Sequence, residues 1–258
     1  MDITKSVAIV TGSSSVTGVG AETAKLLSSK GAKVVINYSG NKEGAEETAQ
    51  ACHAAGGKEV IVVKGDISKD ADCVALVKAA LDKWGRLDIL VNNAATTKPI
   101  AHRKLAELDT AEWQRVLGVN MIGTYQMTRA AFDPLKASGD GAVINISSTG
   151  AWQARGSSIA YCASKGGINT MTMSFARIFA PEVRVNTLCP GGVLGNNWTR
   201  KILTEEAYQK RVADAKTKFP LARPVWPVDV ADAALWLCVG ARSMTGETIR
   251  MDAGQHLL

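Results

Sequence analysis

The chain has 258 residues, of which 46% are hydrophobic and 21% charged, with a net charge of +6. That apolar share excludes an intrinsically disordered chain, and the length is enough to bury roughly 70–75% of the unfolded surface. The longest uncharged run near the C-terminus, Ala233 to Ala241, is far short of the ~20 apolar residues of a membrane span, and MDITKSVAIVTG carries no secretory signal pattern.

Short β-rich runs alternate with longer helical patterns. Strands are expected at Val7–Val10, Lys33–Asn37, Glu59–Lys64, Asp88–Asn92, Ala142–Ser147, Arg184–Leu188 and Glu247–Met251. Most are apolar runs without polar alternation, the pattern of strands covered on both faces. Helices are expected at Val19–Ser29, Lys42–Ala55, Asp70–Trp84, Thr110–Ala137, Ile159–Phe179 and Pro227–Val239. Asp109 and Ser68 are expected N-caps, and Pro227 suits a first helical turn. This βα alternation predicts an α/β fold: a doubly wound, seven-stranded parallel sheet with helices on both faces. No linker or repeat divides residues 1–258, so a single domain is expected. The long excursion at about 192–226, between the last two strands, is expected to be a lid beside the carboxyl ends of the strands, where ligands bind.

The five cysteines form no close pair and the three histidines share no metal-ligand spacing with them. No metal site is expected, and the free cysteines fit a reducing, cytoplasmic setting. The sequence pI of about 9.1 raises nucleic-acid binding. No zinc-finger spacing or RNA-binding aromatic motif accompanies it, so no nucleic-acid partner is expected.

After the first strand comes TGSSSVTGVG, then a helical pattern. Gly12, Gly18 and Gly20 let the backbone turn and approach a pyrophosphate at a helix N-terminus. Ser14 and Val19 belong to the same loop. A carboxylate about 20 residues further on normally binds the ribose 2′-hydroxyl of NAD. Here the second strand ends in Asn37-Tyr38-Ser39, and no acid lies between Thr23 and Lys42. The missing carboxylate removes repulsion from a 2′-phosphate, and Lys42 and the serines are candidates to contact it. NADP(H) is therefore favoured over NAD(H).

Tyr161 and Lys165 are four apart at the head of a helical pattern, so they share a face. Ser148 ends the fifth strand, AVINISS. With these residues in place, the chain resembles the classical short-chain dehydrogenase/reductase family over nearly its whole length. The resemblance rests on the Thr11–Gly20 loop, Asp66-Ile67, Asn92-Asn93-Ala94-Ala95, Asn120, Ser148, Tyr161-x-x-x-Lys165, Arg184-Val185-Asn186, Pro190-Gly191, Thr245-Gly246-Glu247-Thr248 and Asp252-Ala253-Gly254. It implies a Rossmann fold and hydride transfer between a nicotinamide and a ketone or secondary alcohol. It also implies roles for matching residues. Tyr161 is the general acid or base, with its pKa lowered by Lys165 and the oxidised nicotinamide. Lys165 also holds the nicotinamide ribose, Ser148 bonds the substrate oxygen, and Asn120 holds a water linking Lys165 to solvent. Asp66 meets the adenine, Ile67 follows it, Asn93 and Ala94 meet the cofactor backbone, and Pro190, Gly191 and Val193 meet the nicotinamide. The family also implies a homo-tetramer.

Three departures stand out. The glycine loop is two residues longer than TGxxxGxG. Ala95 replaces the glycine of NNAG. Gly195 stands where PGxVxT expects a threonine, for which Thr199 or Asn196 could substitute. Substrate-side candidates are Thr96, Trp152, Gln153, Gly192, Trp198 and Ile202, besides Ser148. The overall pattern is closest to 3-oxoacyl-carrier-protein reductases and related carbonyl reductases. A sugar, polyol or steroid alcohol dehydrogenase is the alternative, and a non-catalytic dinucleotide sensor is a weaker one, since such proteins usually lose the Tyr or Lys. The longer sugar-nucleotide epimerase branch has an extra substrate region that this chain lacks. Between Thr199 and Arg223, seven basic residues face three acids, a local +4. Concentrated in the lid, this charge suggests attraction of an anionic ligand, with a solvated helix face as the plain alternative.

Overall fold

Seven parallel strands form one sheet in a computed structural model that describes residues 1–258: β1 (Val7–Val10), β2 (Lys33–Tyr38), β3 (Val60–Lys64), β4 (Ile89–Asn92), β5 (Gly141–Ile146), β6 (Val183–Pro190) and β7 (Thr248–Met251). Their order is β3-β2-β1-β4-β5-β6-β7, so the winding reverses between β1 and β4. Ala8 pairs with Val34 on one side and Ile89 on the other. The apolar runs are continuous because each strand feeds two cores. Ala8, Val10, Val34, Ile36, Ile89 and Val91 enter one, and Val7, Ile9, Val35 and Leu90 enter the other. Successive side chains point to opposite faces, so a doubly covered strand has no polar face to show.

The helices are α1 (Val19–Ser29), α2 (Lys42–Ala54), α3 (Asp70–Trp84), α4 (Thr110–Leu117), α5 (Gly123–Ala130), α6 (Phe132–Ala137), α7 (Gly150–Gln153), α8 (Ile159–Phe179), α9 (Asn197–Ile202), α10 (Glu205–Lys218) and α11 (Pro227–Val239). The single helix expected over Thr110–Ala137 is interrupted. A π-helical segment, Gly118–Ile122, separates α4 from α5. Pro134, which has no N–H to give, sits in the first turn of α6, after a break at Ala131. Asp109 caps α4, its carboxylate accepting from Glu112 N at 2.8 Å. Ser68 does not cap α3: Lys69 holds that position without a side-chain bond, and the Ser68 hydroxyl donates to Asp66 at 2.7 Å. The Asp72 carboxylate instead accepts the Asp66 N–H at 2.8 Å, closing the loop that leads into the helix. No helix is long and apolar enough to cross a membrane.

A buried polar chain fixes two helices to the sheet. Asn92 of β4 donates at 2.9 Å to Thr128 of α5 and to Asn145 of β5. Asn145 donates to Thr172 of α8 at 2.8 Å, and Thr172 meets Thr187 of β6 at 2.6 Å. All five are 3% exposed or less, so losing one partner strands the next in an apolar interior.

Candidate active site

The carboxyl ends of the strands open into a cavity of about 1480 Å³, beyond the usual size of a single small-ligand pocket. Where β1 and β4 diverge, the two strand ends are tied together. Asn93 donates to the Thr11 and Gly12 carbonyls, both at 2.9 Å, and the Thr11 hydroxyl accepts from the Asn93 and Ala94 N–H groups, both at 3.0 Å. Gly12 has φ +62°, and a Cβ there would lie 2.6 Å from Ala94 Cα. A Cβ on Gly20 would lie 2.5 Å from Asn93 Nδ2. Gly18 is an extended N-cap with no side-chain bond, so no side chain covers the first-turn N–H groups of α1.

The longer loop shows what its extra residues do. The Ser15 hydroxyl lines the cavity, buried and without a hydrogen-bond partner. Thr17 accepts the Asn197 N–H of α9 at 3.2 Å, joining the loop to the segment between β6 and β7. These features fit a dinucleotide: a cradle that a Cβ would obstruct, an orphaned hydroxyl at its rim and a helix N-terminus behind it.

At the end of β2 the structure changes the expected contacts. Asn37 lines the cavity, but its carboxamide accepts from Gly12 N at 3.1 Å and donates to Gly65 O at 2.9 Å. It shapes the loop. Tyr38 packs into the core, because its side chain falls on the buried face of the strand. Lys42 stands outside the cavity on the surface of α2, paired with Glu46 at 3.4 Å one turn on. Ser14, Ser15 and Ser39 line the cavity here instead. Asp66 lines it too, whereas the Ile67 side chain is buried against Gly123 at the start of α5.

Ser148, Tyr161 and Lys165 converge on the same cavity. Ser148 follows β5, and its Oγ accepts the Gly150 N–H at 3.1 Å. Ser158 caps α8 by accepting the Tyr161 N–H at 3.2 Å, which sets Tyr161 in the first turn. One turn later, Lys165 is 2% exposed; its Nζ donates to Ile146 O at 2.7 Å and lies 5.6 Å from the Tyr161 ring centre. Burial dominates both ionisations. Desolvation pushes the Tyr161 phenol up to about 12, partly offset by its hydrogen bond to Ser148. Desolvation likewise brings the Lys165 ammonium down to about 8. The expected lowering of Tyr161 by Lys165 is therefore not what the protein alone produces: the same dry environment that would strengthen their attraction penalises each charge first.

Asn120 sits in the π-helical segment, fully buried. Its carboxamide accepts from Thr96 N at 2.7 Å and donates at 3.0 Å to Thr96 O and Ser164 Oγ. It thus clamps the loop after β4 to the helix that carries Tyr161 and does not itself line the cavity. Thr96 lines the cavity, with its hydroxyl accepting from Arg115.

Pro190, Gly191, Gly192 and Val193 line the far side. A threonine at position 195 would be strained: the φ there is +79°, and a Cβ would lie 2.7 Å from the Trp226 ring. Thr199 and Asn196 instead both donate to Val193 O, at 2.6 and 2.9 Å, and both line the cavity. Gln153, Trp198 and Ile202 also line it. Trp152 does not: its ring stacks beneath the Arg250 guanidinium at 4.6 Å, a partner on β7 that only the fold brings near. Of the serine candidates to contact the 2′-phosphate, Ser15 and Ser39 line the cavity, and so do His102 and Arg155, which no motif singles out. Ser15 carried a signal in the extra loop length; His102 and Arg155 carried none.

The chain is similar to known proteins over nearly its whole length. A family model described as Enoyl-(Acyl carrier protein) reductase matches residues 12–256. A protein of Streptomyces violaceoruber named as ketoacyl reductase 2 of the granaticin polyketide synthase is 40% identical over 252 residues, covering 98% of this chain and 96% of the relative. Glucose 1-dehydrogenase 2 of Bacillus subtilis is 36% identical over 263 residues, covering 99% and 96%. A crystal structure from Burkholderia xenovorans, described as a short-chain dehydrogenase/reductase, superimposes with a TM-score of 0.89 at 36% identity and covers 98% of both chains.

Proposed function

The chain belongs to the short-chain dehydrogenase/reductase family, oxidoreductases that bind NAD(P), and from that premise we propose that it reduces 3-oxoacyl-type ketones with NADPH. The observation that carries the reading is the convergence of Ser148, Tyr161 and Lys165 on the cavity that also holds the glycine loop. Gly12, Gly18, Val19, Gly20, Asn93 and Ala94 would hold the pyrophosphate and its neighbours. Pro190, Gly191 and Val193 would flank the nicotinamide. When bound, the reduced nicotinamide supplies the hydride.

The residues handle the proton and the oxygen. A phenol held up to about 12 is neutral at physiological pH, so Tyr161 arrives as a proton donor, the form ketone reduction requires. Ser148 donates to the same oxygen as negative charge develops on it. Lys165, at about 8, is mostly charged at neutral pH, and its ammonium stabilises the negative charge left on the Tyr161 oxygen as the proton departs. Asn120 holds Thr96 and Ser164 in register, so its role is positioning.

NADPH is favoured because no carboxylate lies at the end of β2 and because Ser14, Ser15 and Ser39 line that part of the cavity. Calorimetric titration is expected to give tighter binding of NADPH than of NADH; equal or reversed affinities overturn the assignment. The Bacillus relative keeps a second reading in view, oxidation of a sugar alcohol. Assay of 3-oxoacyl thioesters with NADPH beside glucose with NADP⁺ separates them: turnover of glucose alone rejects the ketone reading. We also propose a homo-tetramer. Ile122, Tyr125, Met173 and Ile178 are exposed apolar residues around α5 and α8, the helices the family uses for assembly. Light scattering that gives a monomer at micromolar concentration rejects it.

A further inference from the structure

The lid's basic residues are not equivalent. Arg200 is paired with Glu205 at 3.2 Å, Lys218 with Asp214 at 2.7 Å and Arg223 with Asp229 at 2.7 Å. Lys201, Lys210 and Lys216 do not line the cavity. Arg211 alone among the seven lines it with no ion pair or side-chain hydrogen bond within the molecule. Its position is informative. A Cβ built on Gly192 would lie 3.9 Å from Arg211 Nη1, and nothing else stands nearer. Gly192 is two residues beyond Pro190, whose carbonyl accepts the Thr149 N–H at 2.9 Å, beside Ser148. The guanidinium therefore lies over Gly192, a residue with no side chain, on the wall of the cavity that Ser148 and Tyr161 also line. On another segment of the wall, His102 Nε2 is buried without a partner. Arg155 also lines the cavity without a partner. The lining carboxylate nearby, Asp214, is already taken by Lys218.

We propose that Arg211 is a substrate-recognition residue that binds an oxyanion carried by the ketone, so that the preferred substrates are anionic. A guanidinium meets a carboxylate or phosphate through paired N–H donors, and a partly enclosed site makes that contact stronger than a surface pair. The inference deepens the ketone-reductase reading and rests on it.

The test compares a medium-chain 3-oxo acid, its methyl ester and the corresponding 3-oxoacyl-coenzyme A, with wild type, Arg211→Gln, Arg211→Lys and Arg155→Gln. For Arg211→Gln, KM for an anionic substrate should rise roughly ten- to a hundredfold, kcat should change little, and the methyl ester should be unaffected. Arg211→Lys should recover part of the loss. Loss on the free acid identifies a carboxylate; loss confined to the coenzyme A ester identifies a phosphate; either supports the proposal. A loss equal on the methyl ester, no loss at all, or a loss that follows Arg155 instead overturns it. Calorimetry with NADP⁺-loaded protein reads the site without turnover: the anion should bind at least fivefold more tightly than its ester, and equal or undetectable binding of both overturns the proposal. Anion-selective binding without reduction would leave Arg211 in this role and reject the reductase reading instead.

Discussion

At the carboxyl edge of the sheet, polar side chains are buried and bonded across elements: Asn92 to Asn145, Asn145 to Thr172, Asn120 to Thr96 and Ser164. Across the cavity, in residues 192–226, they are mostly exposed and paired along their own stretch of chain, as Arg200 is with Glu205 and Lys218 with Asp214. Helix α8 buries nine residues, whereas α10 buries only Tyr208 and Ala215. The edge therefore has few ways to rearrange without stranding a buried polar group, and the lid has many. A reaction common to a family belongs on the first, and a preference among substrates on the second.

The sharpest test of that division is Tyr161→Phe. It removes the proton donor and leaves the packing, so turnover should fall roughly a hundred- to ten-thousandfold while cofactor affinity stays within about threefold. Near-normal turnover would place the chemistry elsewhere.

Lys165 tests whether the edge is as dry as its geometry implies. Its folded value of about 8 lies below its ordinary 10.5, so between those two values the unfolded chain holds more protons and stability rises with pH. Relative to Lys165→Met, the wild type should gain up to roughly 2–3 kcal/mol across that window, read by chemical denaturation at stepped pH. Parallel curves would mean that water reaches the ammonium.

The lid has one point of close fit. Gly195→Thr restores the family residue into a left-handed backbone against Trp226 and should cost about 1–3 kcal/mol, measured by thermal unfolding. If it is tolerated, the lid is looser than the contrast allows. The smallest effect belongs to the link between the two regions. Thr17→Ala removes the acceptor for Asn197 N and should cost roughly 1 kcal/mol or less. Its mark should be a raised KM with kcat intact; a lowered kcat would show that the loop and lid act on the chemical step.

The parallel sheet, the glycine loop and the Ser148, Tyr161 and Lys165 set were legible in the sequence. Apolar runs betray doubly covered strands, and a glycine turn leading into a helix, like residues four apart on one, is fixed by local geometry. The interruption of the helix at Gly118–Ile122 was less legible, because apolar periodicity runs through it. What only the tertiary structure decided depends on partners distant in the chain. Trp152 left the cavity for Arg250, and Gly195 was required by Trp226. Asn37 was spent on Gly12 and Gly65. Burial set the ionisation of Tyr161 and Lys165 against the direction their adjacency alone suggested for the tyrosine. The local +4 of the lid was countable from the sequence, yet which of its cations stayed unpaired at the cavity depended on where folding placed each carboxylate.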